Sequence, residues 1–563
     1  MSDRRMPTDI QRALRNAGLS RRGFLRVGGG GLAGAAFLGV SGCGVFGSEE
    51  EGSTDSEAPE TMNRNLGAEI DDLDSATATD EISFEVLYNT MEGLYRLDPS
   101  EEPQPAQAEG VEVSEDELVY TFRLRDGITW SNGDLVTSRH FKFAWLRAMD
   151  PKVASQYSFI LAEFVKGGAE YNAGKGSRDQ VAIETPDDRT LQVTLVGPTP
   201  FFLGLTAFTT YLPQNEEFVG QQAADYAKGA ANLLFNGPYK MTRYSPASGG
   251  TLEKNDRYWD KTNVDIERIN MRIVKDTNTA LTLYQSGEID LTGLTGEQVP
   301  RFEDSPELFR TVNFTHFFGQ MNQGNPAMAN LNIRKALMTG FDRKLLTDRV
   351  LNDGSEPAYA FVPPGMEGPE GQTFREANGD LVEPDPAAAR GLWEQGVREL
   401  GKAPKIVMLF SDSSTARDIA TFIQAEYQKH LGIRADIDIT TFENALDRVN
   451  NRDYQISFAS GWGADYNDPM TFMQYFTSGS GFNRAGWSND RYDKLVGGAR
   501  KEPNNAKRMA MMLEAEKILF EEAVLVPEYF EAVVGLKKPY LKNFVSHPYG
   551  PEPDWKYARL DKQ

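Results

Sequence analysis

Alternation of apolar and polar residues predicts strands at several places along the chain. The segment Leu118–Arg125 (LVYTFRLR) alternates in this way, and so does Thr190–Val196 (TLQVTLV), which follows a turn-like Pro-Asp-Asp-Arg. The stretches RADIDITTF and VLVPEYF predict two further strands later in the chain. Each of these segments is short enough to be one strand of a sheet with a buried face.

A second pattern, with apolar residues at helical spacing, separates the strands. Thr415–Ile433 (TARDIATFIQAEYQKHLGI) has this spacing and a glycine stop, and Arg508–Ala523 (RMAMMLEAEKILFEEA) is a second amphipathic helix. Thr137 is placed to cap a helix over Ser138–Ala148. Strands and helices therefore alternate, which predicts an α/β (mixed α+β) architecture with several sheets.

One apolar segment near the start of the chain fits neither pattern. Val27–Val40 is uncharged and rich in Gly and Ala, and it is too short to span a bilayer, which takes about 20 apolar residues. Arg21 and Arg22 precede it in the sequence SRRGFL, which is typical of a bacterial twin-arginine export signal. The alternative, a buried helix, is disfavoured by four consecutive glycines, each costing about 1 kcal/mol.

Cys43, the only cysteine, ends this segment in the sequence VSGC. The position is typical of a lipobox, in which cleavage leaves a lipid-modified cysteine at the new N-terminus. A lone cysteine forms no intrachain disulfide, and the alternative is an ordinary core cysteine. We therefore predict a signal peptide over residues 1–42, lipid attachment at Cys43 and anchoring of the chain to a membrane surface.

Composition extends this picture. Residues 43–60 are acidic and rich in Ser and Gly, which predicts a disordered tether. The formal net charge is −23, and it falls to −28 without residues 1–42, which carry seven arginines and two aspartates. Nucleic acid is thereby disfavoured as a partner, since phosphate binding needs clustered Lys and Arg. The remaining length of about 520 residues predicts two or three domains.

Motifs of common enzymes are missing from the sequence. Its four histidines form no HExxH motif, there is no cysteine cluster, and neither GxSxG nor a phosphate-binding GxxxxGK[ST] loop occurs. Paired carboxylates are too frequent among 82 acidic residues to exclude a glycosidase by counting. We expect no enzyme activity and no cofactor.

Three segments resemble one known family. They are LYNTMEGLYRLDP with the following TFRLRDGITWSNGD, NGPYKMTRYSPASGGTLEKNDRYWD with ALTLYQSGEIDLT, and ISFASGWGADYNDPMTFM. The chain is similar here, and in family order from about Asn65 to about Tyr557, to bacterial extracellular solute-binding proteins of family 5. This family contains the oligopeptide- and dipeptide-binding components of ABC importers.

The resemblance implies a periplasmic-binding-protein-like two-lobe fold (type II, large three-subdomain form) with a ligand cleft between the lobes. Lobe I would comprise residues 61–93, 198–314 and 524–563, with an inserted subdomain at 94–197, and lobe II would comprise residues 315–523. It also implies delivery of short peptides to the permease subunits of an ABC transporter, by a monomer at the extracytoplasmic face of the cell membrane.

The resemblance further implies a ligand site. Asp465, in the sequence GWGADYNDP, stands where peptide binders hold the α-ammonium group of the ligand, and Trp462 would line the neighbouring wall. Tyr157 and Phe442 match cleft positions of the family, and His316 and Phe317 lie in a segment that enters lobe II. A packing role is the alternative for these four residues, and a salt bridge or turn is the alternative for Asp465.

Two positions depart from the peptide-binding pattern. Ala459 and Ala416 replace an arginine and a histidine that meet the peptide's C-terminal carboxylate, and Arg417 or Arg452 could substitute for them. Ligands other than peptides therefore stay open, because some relatives bind oligosaccharides, nickel complexes or other solutes on the same fold. A surface protein with enzyme or chaperone-like activity on that fold is a third possibility.

Overall fold

The computed structural model describes residues 60–246, 248–459 and 461–561. The predicted export signal with Arg21 and Arg22, the predicted lipid attachment at Cys43 and most of the predicted tether lie outside the described residues. Within them, no helix is both long enough and apolar enough to cross a membrane.

The strands are β1 Thr61–Asn65, β2 Tyr95–Leu97, β3 Pro103–Pro105, β4 Ala108–Val113, β5 Val119–Leu124, β6 Ile183–Asp187, β7 Thr190–Thr194, β8 Tyr239–Ser245, β9 Gly249–Lys254, β10 Arg268–Arg272, β11 Leu291–Gly293, β12 Leu308–Met321, β13 Glu356–Pro357, β14 Val407–Ser411, β15 Asp436–Thr440, β16 Ile456–Ser457, β17 Gly461–Gly463, β18 Leu525–Lys537, β19 Leu541–Lys542 and β20 Arg559–Leu560.

The α-helices are α1 Glu81–Thr90, α2 Ser138–Met149, α3 Phe159–Ala162, α4 Gly168–Asn172, α5 Phe202–Leu205, α6 Glu216–Gln222, α7 Thr277–Ser286, α8 Pro326–Ala329, α9 Leu331–Thr339, α10 Arg343–Leu345, α11 Phe374–Asn378, α12 Pro386–Leu400, α13 Ser414–His430, α14 Phe442–Asn450, α15 Met470–Met473, α16 Asp490–Ala499 and α17 Asn505–Glu521.

Local sequence signals explain where the long elements begin and end. The predicted strands correspond to β5, β7, β15 and β18, and the two predicted helices correspond to α13 and α17. The side chains of Ser413 and Asn504 cap α13 and α17 by accepting a hydrogen bond from the backbone N–H three residues later. Thr137 is the N-cap residue of α2, as predicted, and its N–H donates to His140 Nδ1 at 3.1 Å.

One mixed sheet joins the two lobes of the fold. Its strand order is β15-β14-β16-β12-β18-β11-β1-β10-β9-β8, with β17 also paired to β12 and β13 to β18. The pairs β14–β15, β14–β16 and β1–β10 are parallel, whereas β12 and β18 are antiparallel. Parallel and antiparallel pairing in one sheet, with helices between the strands, confirms the predicted α/β (mixed α+β) class.

The long strands β12 and β18 pair with each other in two ladders. Their first ladder runs from Leu308–Leu536 to Val312–Ala532, next to β11, and their second runs from His316–Phe530 to Gln320–Leu525, next to β16 and β17. The register shifts between the two ladders. Regular pairing is therefore interrupted between Val312 and His316, close to the boundary at 314 and 315 predicted between the two lobes.

A separate four-stranded antiparallel sheet, β4-β5-β7-β6, falls inside the range 94–197 predicted for the inserted subdomain. Helix α2 packs on it, and the aromatic residues Trp130, Phe141 and Trp145 are at most 1% exposed there, while Phe143 is half-buried. The exact boundaries of the lobes and of the subdomain stay a prediction.

Candidate functional site

The site predicted around Asp465 is built on the strand that precedes it. Strand β17 pairs with β12, placing Gly461 opposite Phe317 and Gly463 opposite Thr315. A Cβ atom on Gly461 would lie only 2.7 Å from the carbonyl oxygen of His316, so the close approach of the two strands requires glycine there. The chain then turns and brings Asp465 into the interior.

Asp465 is a buried carboxylate held only by hydroxyl groups. Its residue is 6% exposed. The Thr471 hydroxyl donates to Asp465 Oδ2 at 3.3 Å and accepts from the Asp465 N–H at 3.2 Å, and the Tyr157 hydroxyl also faces the carboxylate. Burial raises the pKa of Asp465 to about 7, although both hydroxyls act to lower it. In the described part of the chain, no Lys or Arg nitrogen lies within 4.0 Å of it.

Four aromatic side chains form a group beside this carboxylate. Trp462 stacks on Tyr157 with ring centroids 6.5 Å apart, and its edge contacts are to Phe482 at 4.7 Å and Tyr475 at 5.0 Å. The Trp462 indole N–H donates to the carbonyl oxygen of Thr471 at 3.1 Å, which fixes the ring. The structure therefore brings together three predicted site residues, Asp465, Trp462 and Tyr157.

Phe317 and His316 lie on opposite sides of β12. Phe317 is half-buried and stacks on Tyr529 at 4.9 Å. His316 is fully buried, its Nδ1 lies 3.0 Å from the Phe361 carbonyl oxygen, and burial lowers its pKa to about 3. The neutral imidazole in this position packs against aromatic rings. Packing was the alternative given for His316 to a role in the cleft.

The other predicted residues are exposed, two of them at helix starts and Arg452 just after the end of α14. Phe442 is the first residue of α14 and is 56% exposed. Arg417, in the first turn of α13, is also exposed, and its Nε–H donates to the Asp412 carbonyl oxygen at 3.4 Å. Arg452 donates to the Asn483 carbonyl oxygen at 3.2 Å. None of these described contacts connects them to Asp465, so their ligand role stays a prediction.

A residue that sequence reasoning missed, Arg484, lies next to the aromatic group. It is 7% exposed, its guanidinium is 5.3 Å from the Phe482 ring and beside the Tyr475 hydroxyl, and its Nε–H has no hydrogen-bond partner. Within the described residues, no carboxylate lies within 4.0 Å of it. The signal that could have found it is an isolated arginine in the apolar, glycine-rich stretch GFNRAGW.

Residues between 159 and 201 contact residues between 466 and 500 beside the site. The rings of Phe201 and Tyr466 stack at 4.3 Å, Phe159 meets Phe482 at 5.5 Å, and Arg500 Nη2 lies 2.5 Å from Glu163 Oε2. Together with the contact of Tyr157 and Trp462, these pairs close the space in front of Asp465. The arrangement is a closed cleft around a buried carboxylate and a buried guanidinium.

Comparison with known proteins agrees with this geometry. The family model "Bacterial extracellular solute-binding proteins, family 5 Middle" matches residues 102–484. The chain is 34% identical over 507 residues to the dipeptide-binding protein DppE of Bacillus subtilis, covering 90% of this chain and 92% of that protein. It superposes on Listeria monocytogenes OppA bound to peptide with a TM-score of 0.83 at 35% identity, covering 90% and 99% of the two chains.

A third relative has two solved structures, one of which is an unliganded open form. For the Escherichia coli murein tripeptide binding protein MppA, the TM-score is 0.81, with 89% of this chain and 99% of that chain covered. Against the unliganded open form of MppA it is 0.64, with 89% and 97% covered, and the identity is 26% in both cases. The present structure is therefore unlike the open form, in agreement with the contacts across the cleft. From the extent of these matches, the chain belongs to the bacterial extracellular solute-binding proteins of family 5.

Proposed function

We propose that this protein binds short peptides outside the cell membrane and delivers them to the permease subunits of an ABC importer. The observation that carries the proposal is Asp465, a buried carboxylate whose neighbours are hydroxyl groups and aromatic rings. A buried charge without a counter-charge is unfavourable, so this position favours a ligand that brings a cation.

The α-ammonium group of a peptide suits Asp465. It offers three N–H donors to a carboxylate, and such charge-assisted hydrogen bonds are roughly twice as strong as neutral ones. Tyr157 and Trp462, stacked at 6.5 Å, would enclose the first residue of the peptide. The wall of the site around that residue is then largely aromatic, as is usual in small-molecule sites.

Arg484 suits the opposite end of the ligand. Its guanidinium is buried beside Tyr475 and Phe482, and its Nε–H lacks a partner. A peptide carboxylate could accept from this group, which would compensate for Ala459 and Ala416 at the two positions where basic residues were expected. A peptide with both termini held in this way needs no sequence-specific contact, because water can bridge its side chains to the cleft.

The proposal extends to the cellular context. A twin-arginine signal with Arg21 and Arg22, followed by acylation of Cys43, would place the chain as a monomer at the extracytoplasmic face of the membrane. The acidic residues 43–60 would form the tether, and lobe closure would occur between residues 61–314 with 524–563 and residues 315–523. No cofactor, nucleic acid or covalent chemistry is needed for this activity.

Thermal unfolding of the purified protein tests the proposal. The probes are alanine tripeptides with a free amine and the same peptides acetylated at the α-amine. A bound ligand stabilises by RT ln(1 + [L]/Kd), which is about 2.7 kcal/mol at a hundredfold excess over Kd. We expect a rise in Tm with the free peptides that acetylation abolishes. A rise with oligosaccharides but with none of the peptides would contradict the proposal and leave the fold assignment intact.

A further inference from the structure

A second set of carboxylates lies beside the site, next to Gly463 at the end of β17. Glu81, the first residue of α1, and Glu552, near the C-terminus, line a cavity of about 30 Å³ together with Thr315 and Gly463. Ala464, the neighbour of Asp465, also lines this cavity. Its volume is enough for one or two water-sized groups.

An unpaired hydroxyl points into the same space. Thr315 is 5% exposed and its Oγ1 has no hydrogen-bond partner. The position that a Cβ atom on Gly463 would occupy is 3.1 Å from Thr315 Oγ1 and 4.0 Å from Glu81 Oε1. Buried polar groups in proteins are nearly always hydrogen-bonded, so this hydroxyl marks a place where a partner is missing.

The neighbouring side chains supply few hydrogen-bond donors for the carboxylate oxygens of this set. A single amide, from Asn313, donates to Glu531 at 3.4 Å and to Glu552 at 3.3 Å, and the Ser546 hydroxyl donates to Glu552. Burial and mutual repulsion raise the pKa of Glu531 and that of Glu552 to about 8.

Positive charge is absent from this set in the described part of the chain. No Lys or Arg nitrogen lies within 4.0 Å of Glu81, Glu531 or Glu552, and the nearby Arg64 is already paired with Glu85 at 3.1 Å. No group of three or more His, Cys, Asp or Glu side chains among the described residues has the placement to hold a metal ion. The three carboxyl groups therefore lack a positively charged partner among the described residues.

We propose that Glu81, Glu552 and Glu531 form a subsite for the ammonium group of a lysine side chain on the first residue of a bound peptide. The proposal rests on the proposed function, in which Asp465 holds the α-ammonium group. Because Gly463 and Ala464 line the cavity and lead directly to Asp465, a side chain that branches next to that ammonium group is the one that reaches it. The Thr315 hydroxyl would then gain a partner, and the carboxylates would gain a counter-charge.

Calorimetric titration of the purified protein with five tripeptides tests this subsite. They are Lys-Ala-Ala, Leu-Ala-Ala, the α-acetylated form of each, and Lys-Ala-Ala acetylated at the ε-amine. We expect Lys-Ala-Ala to bind about tenfold or more tighter than Leu-Ala-Ala, since a charged hydrogen bond contributes about 1.5–3 kcal/mol. Acetylation of the ε-amine should remove this advantage, and α-acetylation should weaken both peptides.

The outcomes separate the two proposals. Equal affinity for the lysine and leucine peptides, with α-acetylation still weakening both, overturns the subsite and leaves the proposed function standing. Indifference to α-acetylation overturns the role of Asp465. Failure of every peptide to bind contradicts both.

Variants locate the subsite. Glu81→Gln and Glu552→Gln should each reduce the ratio of the affinity for Lys-Ala-Ala to that for Leu-Ala-Ala several-fold. Loss of mutual repulsion should keep both variants folded, which their Tm values check. Glu288→Gln is the matched control, because that exposed carboxylate pairs with Arg272 at the surface. An advantage that survives both replacements places the cation elsewhere and overturns the proposal.

Discussion

Asp465 and Asp468 are two buried carboxylates, three residues apart in one loop, with opposite surroundings. Asp468 is 3% exposed and accepts hydrogen bonds from both terminal nitrogens of Arg508, at 3.0 and 2.5 Å. Asp465 is 6% exposed and has only the hydroxyls of Thr471 and Tyr157. A buried charge needs a counter-charge. The chain supplies one for Asp468, in Arg508, but none for Asp465 among the described residues.

The same contrast separates two other regions of the molecule. Asp554 pairs with Arg96 in the interior, at 2.6 Å between Nη2 and Oδ1, whereas Glu81 and Glu552 have no such partner among the described residues. The chain supplies a counter-charge for Asp468 and Asp554, whereas Asp465, Glu81 and Glu552 have none among the described residues.

Removing Arg508, the cation that pairs with Asp468, should have the largest effect on stability. Arg508→Met leaves Asp468 buried and uncompensated, which should lower the free energy of unfolding by about 3–5 kcal/mol. Urea denaturation measures this loss. Arg491→Met is the control, because its pair with Glu514 is exposed and exposed pairs contribute about 1 kcal/mol or less. Equal stability of the two variants would show that the buried pair is not what distinguishes Asp468.

Neutralising Asp465, the carboxylate without a counter-charge, should instead affect ligand binding. Asp465→Asn keeps the shape and the contact with Thr471 but removes the charge that an ammonium group needs. We expect affinity for a free-amine tripeptide to fall about a hundredfold, equal to about 2.7 kcal/mol. Stability without ligand should not fall, because the buried charge of Asp465 is unfavourable in the empty protein. Calorimetric titration and urea denaturation of the same sample measure both, and a large loss of stability would assign Asp465 a structural role.

A smaller effect should follow from Tyr157→Phe. The ring still stacks on Trp462, but the hydroxyl that lowers the pKa of Asp465 is lost. Affinity for the tripeptide at neutral pH should fall about fivefold, within the range of about 0.5–1.5 kcal/mol for one hydrogen bond. Tyr239→Phe is the control, since its buried hydroxyl bonds to the Trp555 carbonyl oxygen. A loss of affinity as large in the control would point to a general packing effect.

Another expected effect is on the pH dependence of stability. Burial raises the pKa of Asp465 from 3.8 to about 7, so the folded protein binds more protons than the unfolded chain between these values. Its contribution to stability is therefore present at low pH and is lost as the pH rises through 7. The unfolding free energy of the parent should fall relative to that of Asp465→Asn between pH 4.5 and 7.5. Parallel curves would contradict the raised pKa.

Local pattern predicted the elements well, because each depends on neighbours in sequence. Strands β5, β7 and β18 and helix α13 follow from alternation or helical spacing together with cap residues. The cluster of Asp465, Trp462 and Tyr157 followed from the resemblance, because two of these lie in one nine-residue stretch, and Tyr157 lies about 300 residues earlier.

Other parts of the site depend on long-range register, which no local pattern carries. Glu81 and Glu552 meet only because α1, β12 and the C-terminal segment pack at one place. Arg417 was favoured because it lies close in sequence to an expected basic position, yet the start of α13 is exposed. Arg484 was missed because its burial depends on how the aromatic residues around it pack.

The contacts between helix α1 and residues 553–555 affect the order in which parts of the chain can fold. Asn89 donates to the Pro553 carbonyl oxygen at 2.8 Å and accepts from the Trp555 N–H at 2.8 Å, and the Trp555 indole donates to Glu85 at 3.1 Å. Helix α1, near the beginning of the described chain, thus obtains inner contacts from a segment more than about 460 residues later. The packing of α1 therefore cannot be completed before the segment around Trp555 has been made, and a chain truncated before Pro553 leaves Asn89 and Glu85 without these partners.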